Sequence, residues 1–195
     1  MHLQETHPRK EGLHRLKVKG WKQIFQANGQ GKKKAGVAIL ISDKMDFRRR
    51  AIKRDPEGHF IILKGRIHQE DINIVNIYAP NIGAPKYIKK ILEDFKKDID
   101  SNIIIVGDFN TPLSKMHRSS KQNINKDIVA LNNALDEMDF TDIYRAFHPQ
   151  KSKYTFFSNA HGTFSKIDHM IGHRISLKNS RKFISYQAFP WVTRA

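Results

Sequence analysis

Asn102-Ile103-Ile104-Ile105-Val106-Gly107-Asp108-Phe109-Asn110-Thr111-Pro112 is the stretch on which the fold turns. Four consecutive β-branched residues read as a strand buried on both faces. Gly107 lets the backbone turn tightly and Pro112 blocks further pairing. Asp108 and Asn110 stand two apart, so both can lie on one side of the strand's exit. A carboxylate beside an amide can hold a water between an acceptor and a donor, an arrangement that suits hydrolysis. An Asx turn closing a strand would use the same two residues.

Outward from this strand the chain reads as mixed α and β in layers. Ile88, Ile91, Leu92, Phe95 and Ile99 keep one-face helical spacing after Pro85, which suits a first turn. Ile128, Leu131, Leu135 and Met138 repeat the pattern after Asn125 or Asp127 as cap. Strands are expected at 35–41, 60–63, 102–106, 154–157 and 166–171. Residues 59–67 and 71–78 form a hairpin joined through Gln69-Glu70. In 71–78, Ile72, Ile74 and Asn76 share one face and Asn73, Val75 and Ile77 the other.

The chain has 195 residues with 35 Lys+Arg against 19 Asp+Glu, a formal charge of +16 and a pI near 10.1. At 39% hydrophobic residues it can form a core, and its length suits one domain. The absence of cysteine excludes a disulfide scaffold, a thiolate zinc site and a cysteine nucleophile. No apolar run is long enough to span a bilayer, and no signal peptide is visible. The expectation is an intracellular protein, nuclear and/or cytoplasmic, not secreted and not membrane-bound. Nine basic residues fall between His7 and Lys34, and Arg48, Arg49, Arg50, Lys53 and Arg54 form a second cluster. A polyanionic partner accounts for the surplus as a whole; solvated surface or a nuclear-import signal would account for a single cluster.

Other polar residues also sit where strands stop. Tyr78 could offer a phenol to a phosphate oxygen, or be an ordinary rim tyrosine. Glu5 is an early carboxylate of the kind Mg²⁺ uses together with water and substrate phosphate. Asp168 is an acid inside an apolar strand, and its neighbour His169 must point to the opposite face.

Taken in order, Gln4-Glu5-Thr6, Asn76-Ile77-Tyr78-Ala79-Pro80, Gly107-Asp108-Phe109-Asn110, Tyr154-Thr155-Phe156 and Ser165-Lys166-Ile167-Asp168-His169 resemble the endonuclease/exonuclease/phosphatase superfamily. His14-Arg15-Leu16-Lys17, Lys19-Gly20-Trp21, Gln26-Ala27-Asn28-Gly29 and Lys34-Ala35-Gly36-Val37-Ala38-Ile39-Leu40 bring the resemblance nearer to the endonuclease domain of LINE (long interspersed element) retrotransposon reverse transcriptases. It implies an α+β fold, a DNase I-like four-layer α/β sandwich of two packed mixed sheets with outer helices. It also implies a Mg²⁺-dependent DNA endonuclease, with Mn²⁺ as the alternative ion and no organic cofactor, acting as a monomer. By resemblance Glu5, Asp108 and Asn110 serve the metal. Tyr78, Asp108, Asn110 and Asp168 form the catalytic set: Tyr78 contacts phosphate, Asp108 orients or deprotonates water, Asn110 holds phosphate or water, and Asp168 orients a histidine. Arg118, Thr155 and Ser165 face DNA.

Two departures qualify the resemblance. The family's first strand, with an asparagine near the metal, has no counterpart before Glu5, and no Ser-Asp-His follows Asp168. His173 is poorly spaced to replace that histidine. The expectation is a partial domain over 1–182, incomplete at both ends, followed by an unrelated tail over 183–195. Catalysis is expected to be impaired and stability marginal; the alternative is a non-catalytic, basic nucleic-acid-binding remnant. A lipid or inositol-phosphate phosphatase fits the superfamily but not the retrotransposon-like branch.

Overall fold

A computed structural model of the chain describes residues 2–4, 19–29, 35–96, 102–119, 124–149 and 154–175. Its elements in order are β1 (His2–Gln4), β2 (Gln23–Asn28), β3 (Gly36–Ile41), β4 (Phe47–Arg54), β5 (Phe60–Ile67), β6 (Glu70–Tyr78), α1 (Ala84–Phe95), β7 (Ile103–Asp108), α2 (Lys126–Glu137), β8 (Phe140–Asp142), α3 (Ile143–Phe147), β9 (Phe156–Ser158), β10 (Thr163–Ser165) and β11 (Asp168–His173). Ile99, the boundary at 182 and the tail lie outside the described residues. No described helix is long and apolar enough to cross a membrane.

Six strands form one mixed sheet in the order β4-β5-β6-β7-β11-β8. Only β6 and β7 run parallel in it, because α1 carries the chain back between them. Strands β1, β3 and β2 form a smaller antiparallel sheet. Its apolar face, Phe25, Ala27, Val37, Ile39 and Ile41, packs against Phe47, Ile61, Leu63 and Ile67 of β4 and β5. The opposite face of the large sheet presents Ile62, Val75, Ile77, Ile105 and Ile171 to Ile88, Ile91, Leu92 and Phe95 of α1 and to Leu131 and Leu135 of α2. The result is an α+β sandwich of two packed sheets, with helices covering one outer face among the described residues.

Neighbours such as Ile61 and Ile62 therefore bury on opposite faces, which is why these strands read as unbroken apolar runs. The two expected helices form, and the Asn125 side chain caps α2 by accepting from the Ile128 N–H at 2.9 Å. The β5–β6 hairpin forms with its turn one residue earlier than expected. His68 and Gln69 carry φ of +47° and +72°, the backbone that a two-residue loop needs to match strand twist, so Glu70 already belongs to β6. β4 was legible only as a basic cluster. A bulge between Arg49 and Ala51 shifts its parity, so Phe47 and Ile52, five residues apart, both face the small sheet.

Asn76, fully buried on β6, donates from Nδ2 to the Ala38 carbonyl of β3 at 3.0 Å and so ties one sheet to the other. Asn76→Ala deletes this donor and leaves a cavity between the sheets. Denaturant unfolding should register a loss of about 1–3 kcal/mol; a change below about 0.5 kcal/mol would mean that apolar contact alone holds the sheets together.

Candidate active site

The strand registers bring three residues of distant sequence into one row. Tyr78 of β6 pairs with Asp108 of β7, and Asp108 pairs with Asp168 of β11. Neighbouring strands lie roughly 4.8 Å apart, so the row spans about 10 Å of sheet edge. Ile77, Ile105 and Ile171 face the helices. By strand alternation Tyr78, Asp108 and Asp168 turn to the other side, at the rim between the sheets. Tyr78 packs against the inter-sheet core, and Asp108 is 2% exposed.

The loop after β7 is pinned on both sides. The Ala79 N–H donates to the Asp108 carbonyl at 2.9 Å and the Phe109 N–H to the Ile167 carbonyl at 2.8 Å. Asn110 adopts φ +46°, a conformation asparagine tolerates better than most residues. Its N–H donates to Asp108 Oδ1 at 2.8 Å and its Nδ2 to the Ala79 carbonyl at 2.6 Å. The expected Asx turn forms, and it holds Asn110 beside Asp108. By valence the amide retains a second N–H and its oxygen.

The Thr155 hydroxyl oxygen accepts from the Ile167 and Asp168 N–H groups at 3.1 and 3.2 Å, which fixes the start of β11. Arg118 and Ser165 face each other in an isolated antiparallel bridge at the foot of the β9–β10 hairpin. Tyr154, Phe156, Phe157 and Phe164 are exposed around this hairpin, with the Phe157 and Phe164 rings 4.6 Å apart.

His169 faces the helix side, as alternation requires. Its Nε2 lies 3.0 Å from the Thr111 carbonyl and its Nδ1 3.3 Å from Asp142 Oδ2, which also receives Lys166 Nζ at 2.7 Å. All three side chains are buried. Burial pushes the Asp142 carboxyl up, but the hydrogen bond from His169 and the charge of Lys166 outweigh it and hold it below the ordinary range. His117, 5.1 Å from His169 ring to ring, is held neutral by burial and by its cationic neighbours, its pKa pushed down to about 3. Behind Tyr78, His59 Nδ1 meets the Tyr78 carbonyl at 2.9 Å. Sequence reasoning missed His59, the bracing role of Thr155 and the Lys166–Asp142–His169 cluster. A lysine within an apolar strand was the available signal for the last.

Glu5 lies outside the described residues. Among the described residues no three His, Cys, Asp or Glu side chains converge as a ready-made cation site. The rim supplies two carboxylates and an amide, all hard oxygen donors. That set fits Mg²⁺, which takes one or two carboxylates and completes its shell with water and substrate phosphate.

A family model described as the endonuclease/exonuclease/phosphatase family matches residues 3–188. The chain is similar to the transposon TX1 uncharacterized 149 kDa protein of Xenopus laevis, 27% identical over 173 residues. That match covers 85% of this chain and 13% of the transposon protein, so the chain spans a small part of that relative's length. Its fold resembles the AP endonuclease LMAP from Leishmania major, with a TM-score of 0.69 at 14% identity over 91% of this chain and 70% of the other. It also resembles the endonuclease domain of TRAS1, a telomere-specific non-LTR retrotransposon, with a TM-score of 0.59 at 17% identity over 80% and 68%.

The buried histidine makes stability depend on pH. His117 takes a proton near pH 6.5 in the unfolded chain but only near 3 in the folded one. Stability is therefore complete above about pH 6.5 and falls as pH drops toward 3, by at most about 1.4 kcal/mol per pH unit. Asp142 is also depressed, but from a lower unfolded value, so it adds its own loss only below about pH 4. Melting temperatures taken from pH 7.5 to 4.5 should fall more steeply for the wild type than for His117→Phe; parallel curves would contradict the assignment.

Proposed function

The chain belongs to the endonuclease/exonuclease/phosphatase family, and on that premise we propose that its rim hydrolyses DNA phosphodiester bonds with a divalent metal ion, Mg²⁺ or in its place Mn²⁺. The observation that carries the reading is the row Tyr78–Asp108–Asp168 with Asn110 turned in beside it. Glu5, Asp108 and Asn110 would hold the ion. When bound, it offsets the negative charge of the phosphate and of the developing transition state.

Asp108 orients the attacking water and takes its proton, since a buried carboxylate at the rim is an acceptor held in place by the Asn110 N–H. The Tyr78 phenol donates to a phosphate oxygen. The remaining Asn110 N–H steadies the phosphate or the water. Asp168, braced by Thr155, supports the opposite side of the row. Arg118, Thr155 and Ser165 face the DNA beside the aromatic hairpin, and the protein acts as a monomer inside the cell, in nucleus or cytoplasm.

A second reading has its own support. The β11 histidines, His169 and His173, both lie on the helix side, where His173 meets Phe140 ring to ring at 6.1 Å. Neither stands with Asp168 on the rim side. On this reading the domain binds DNA and turns over slowly or not at all.

Nicking of supercoiled plasmid in Mg²⁺ separates the two. Hydrolysis at the rim predicts nicking that Asp108→Ala slows by roughly 10²–10⁴-fold. Equal nicking by wild type and Asp108→Ala would refute the assignment. Salt-sensitive binding with no nicking by the wild type would establish the second reading.

A further inference from the structure

We propose that the helix-side face of β4 and β5 is a second nucleic-acid surface, one that grips the phosphate backbone of duplex DNA. The inference stands apart from the rim chemistry and holds whether or not the rim cleaves.

The surface follows from strand parity. Ile62 on β5 packs beneath α1, so Lys64 and Arg66 lie on the same face. Across the strand pair Arg48 stands opposite Arg66, Ala51 opposite Lys64 and Lys53 opposite Ile62. The bulge leaves Arg50 on this face as well, since it bonds Asp71 Oδ2 at 2.8 Å while Arg66 bonds Oδ1 at 2.9 Å. Lys53 Nζ sits 5.3 Å from the Phe95 ring, where the cover given by α1 ends. Beyond that point, among the described residues, the sheet face carries no apolar stripe to bury. It carries Arg48, Arg50, Lys53, Lys64 and Arg66, with Asp46 and Asp71 as the described carboxylates beside them.

The ion pairs on this face do not use up its charge. Arg48 and Asp46 are 80% and 62% exposed at 3.6 Å, and exposed pairs of this kind are worth at most about 1 kcal/mol. Phosphates can therefore displace or share them. At the far end the face runs into a cavity of about 170 Å³ lined by Asp46, Arg48, Arg66, His68 and Gln69, so two guanidinium groups border a hollow next to the turn. Asp71 precedes Tyr78 by seven residues of β6, so this end lies roughly 23 Å from the rim, on the opposite face of the sheet.

The choice of duplex rests on what this face lacks. Proteins that grip single strands stack bases on aromatic side chains. The strand positions on this face are Arg48, Arg50, Ala51, Lys53, Lys64 and Arg66, whereas the exposed Phe and Tyr side chains among the described residues, Phe147 apart, cluster around β9 and β10. A cationic face with no exposed Phe, Tyr or Trp among its described residues suits phosphates displayed on the outside of a duplex.

The test is equilibrium binding of the full chain to a short duplex without divalent metal, so that cleavage plays no part. Each duplex phosphate neutralised contributes about 0.9 to the slope of log affinity against log salt. R48Q/K53Q/K64Q should lower the magnitude of that slope by about 2–3 and weaken binding at least tenfold near 0.1 M salt. Arg48→Glu alone should weaken it measurably. Unchanged slope and affinity in both Arg48 variants, with unaltered melting, would overturn the proposal. So would a triple-variant effect larger on single-stranded DNA, or on acidic phospholipid vesicles, than on the duplex. Failure of plasmid nicking would leave this result untouched, because the two experiments read different faces.

Discussion

The pairing of β7 between β6 and β11 is the constraint on which the rim depends. A slip of one residue would turn Asp108 toward the helices and Ile105 toward the small sheet. Ile105 is fully buried beneath the helical layer together with Ile77 and Ile171, each on one of the three strands. Burying such a side chain is worth about 1.5–3 kcal/mol, so misregister forfeits several of these contributions at once. The carboxylates are therefore placed by their apolar neighbours: packing on the helix side decides what stands at the rim on the other.

The rim is then stiffened from two directions. On its own side, backbone bonds from Ala79 to Asp108 and from Phe109 to Ile167 close the strand exits, and Thr155 fixes the first residues of β11. From the helix side, Lys166, Asp142 and His169 form a buried charged group whose hydrogen bonds are mutually satisfied, and His169 reaches the Thr111 carbonyl just past Asn110. A buried ion pair adds little stability by itself, because desolvation offsets the attraction. Its effect here is geometric: the loop bearing Asn110 and the strand bearing Asp168 are held to one another by a group that only one arrangement satisfies.

Charge is divided as unevenly as polarity. The rim gathers carboxylates and an amide, a donor set for a cation. Among the described residues, positive charge gathers on the exposed face of β4 and β5. On the proposed reading that separation has a use: guanidinium groups packed against Asp108 and Asp168 would compete with a metal ion for the same oxygens, whereas cations on the other face of the sheet attract a polyanion without neutralising the site.

The sequence by itself determined the local elements and the order of the motifs. Helical spacing marked α1 and α2, Asn125 or Asp127 offered a cap for α2, the β-branched run marked β7, and the Gly107–Pro112 stretch marked where that strand stops, because each is encoded within a few residues. Adjacency likewise put Asp168 and His169 on opposite faces. β4 was not legible as a strand because its bulge erases the two-residue alternation, nor was the bracing of β11 by Thr155, because those bonds reach 12 and 13 residues along the chain. The tertiary structure alone decided that Tyr78, Asp108 and Asp168 form one row, that His169 serves Asp142 and Thr111, and that Arg48, Arg50 and Lys53 of the basic cluster share the helix-side face while Arg49 and Arg54 turn to the small sheet. Strand register and sheet order set those outcomes. They are fixed by which apolar faces pack together across the whole fold, and no local window of sequence contains that information.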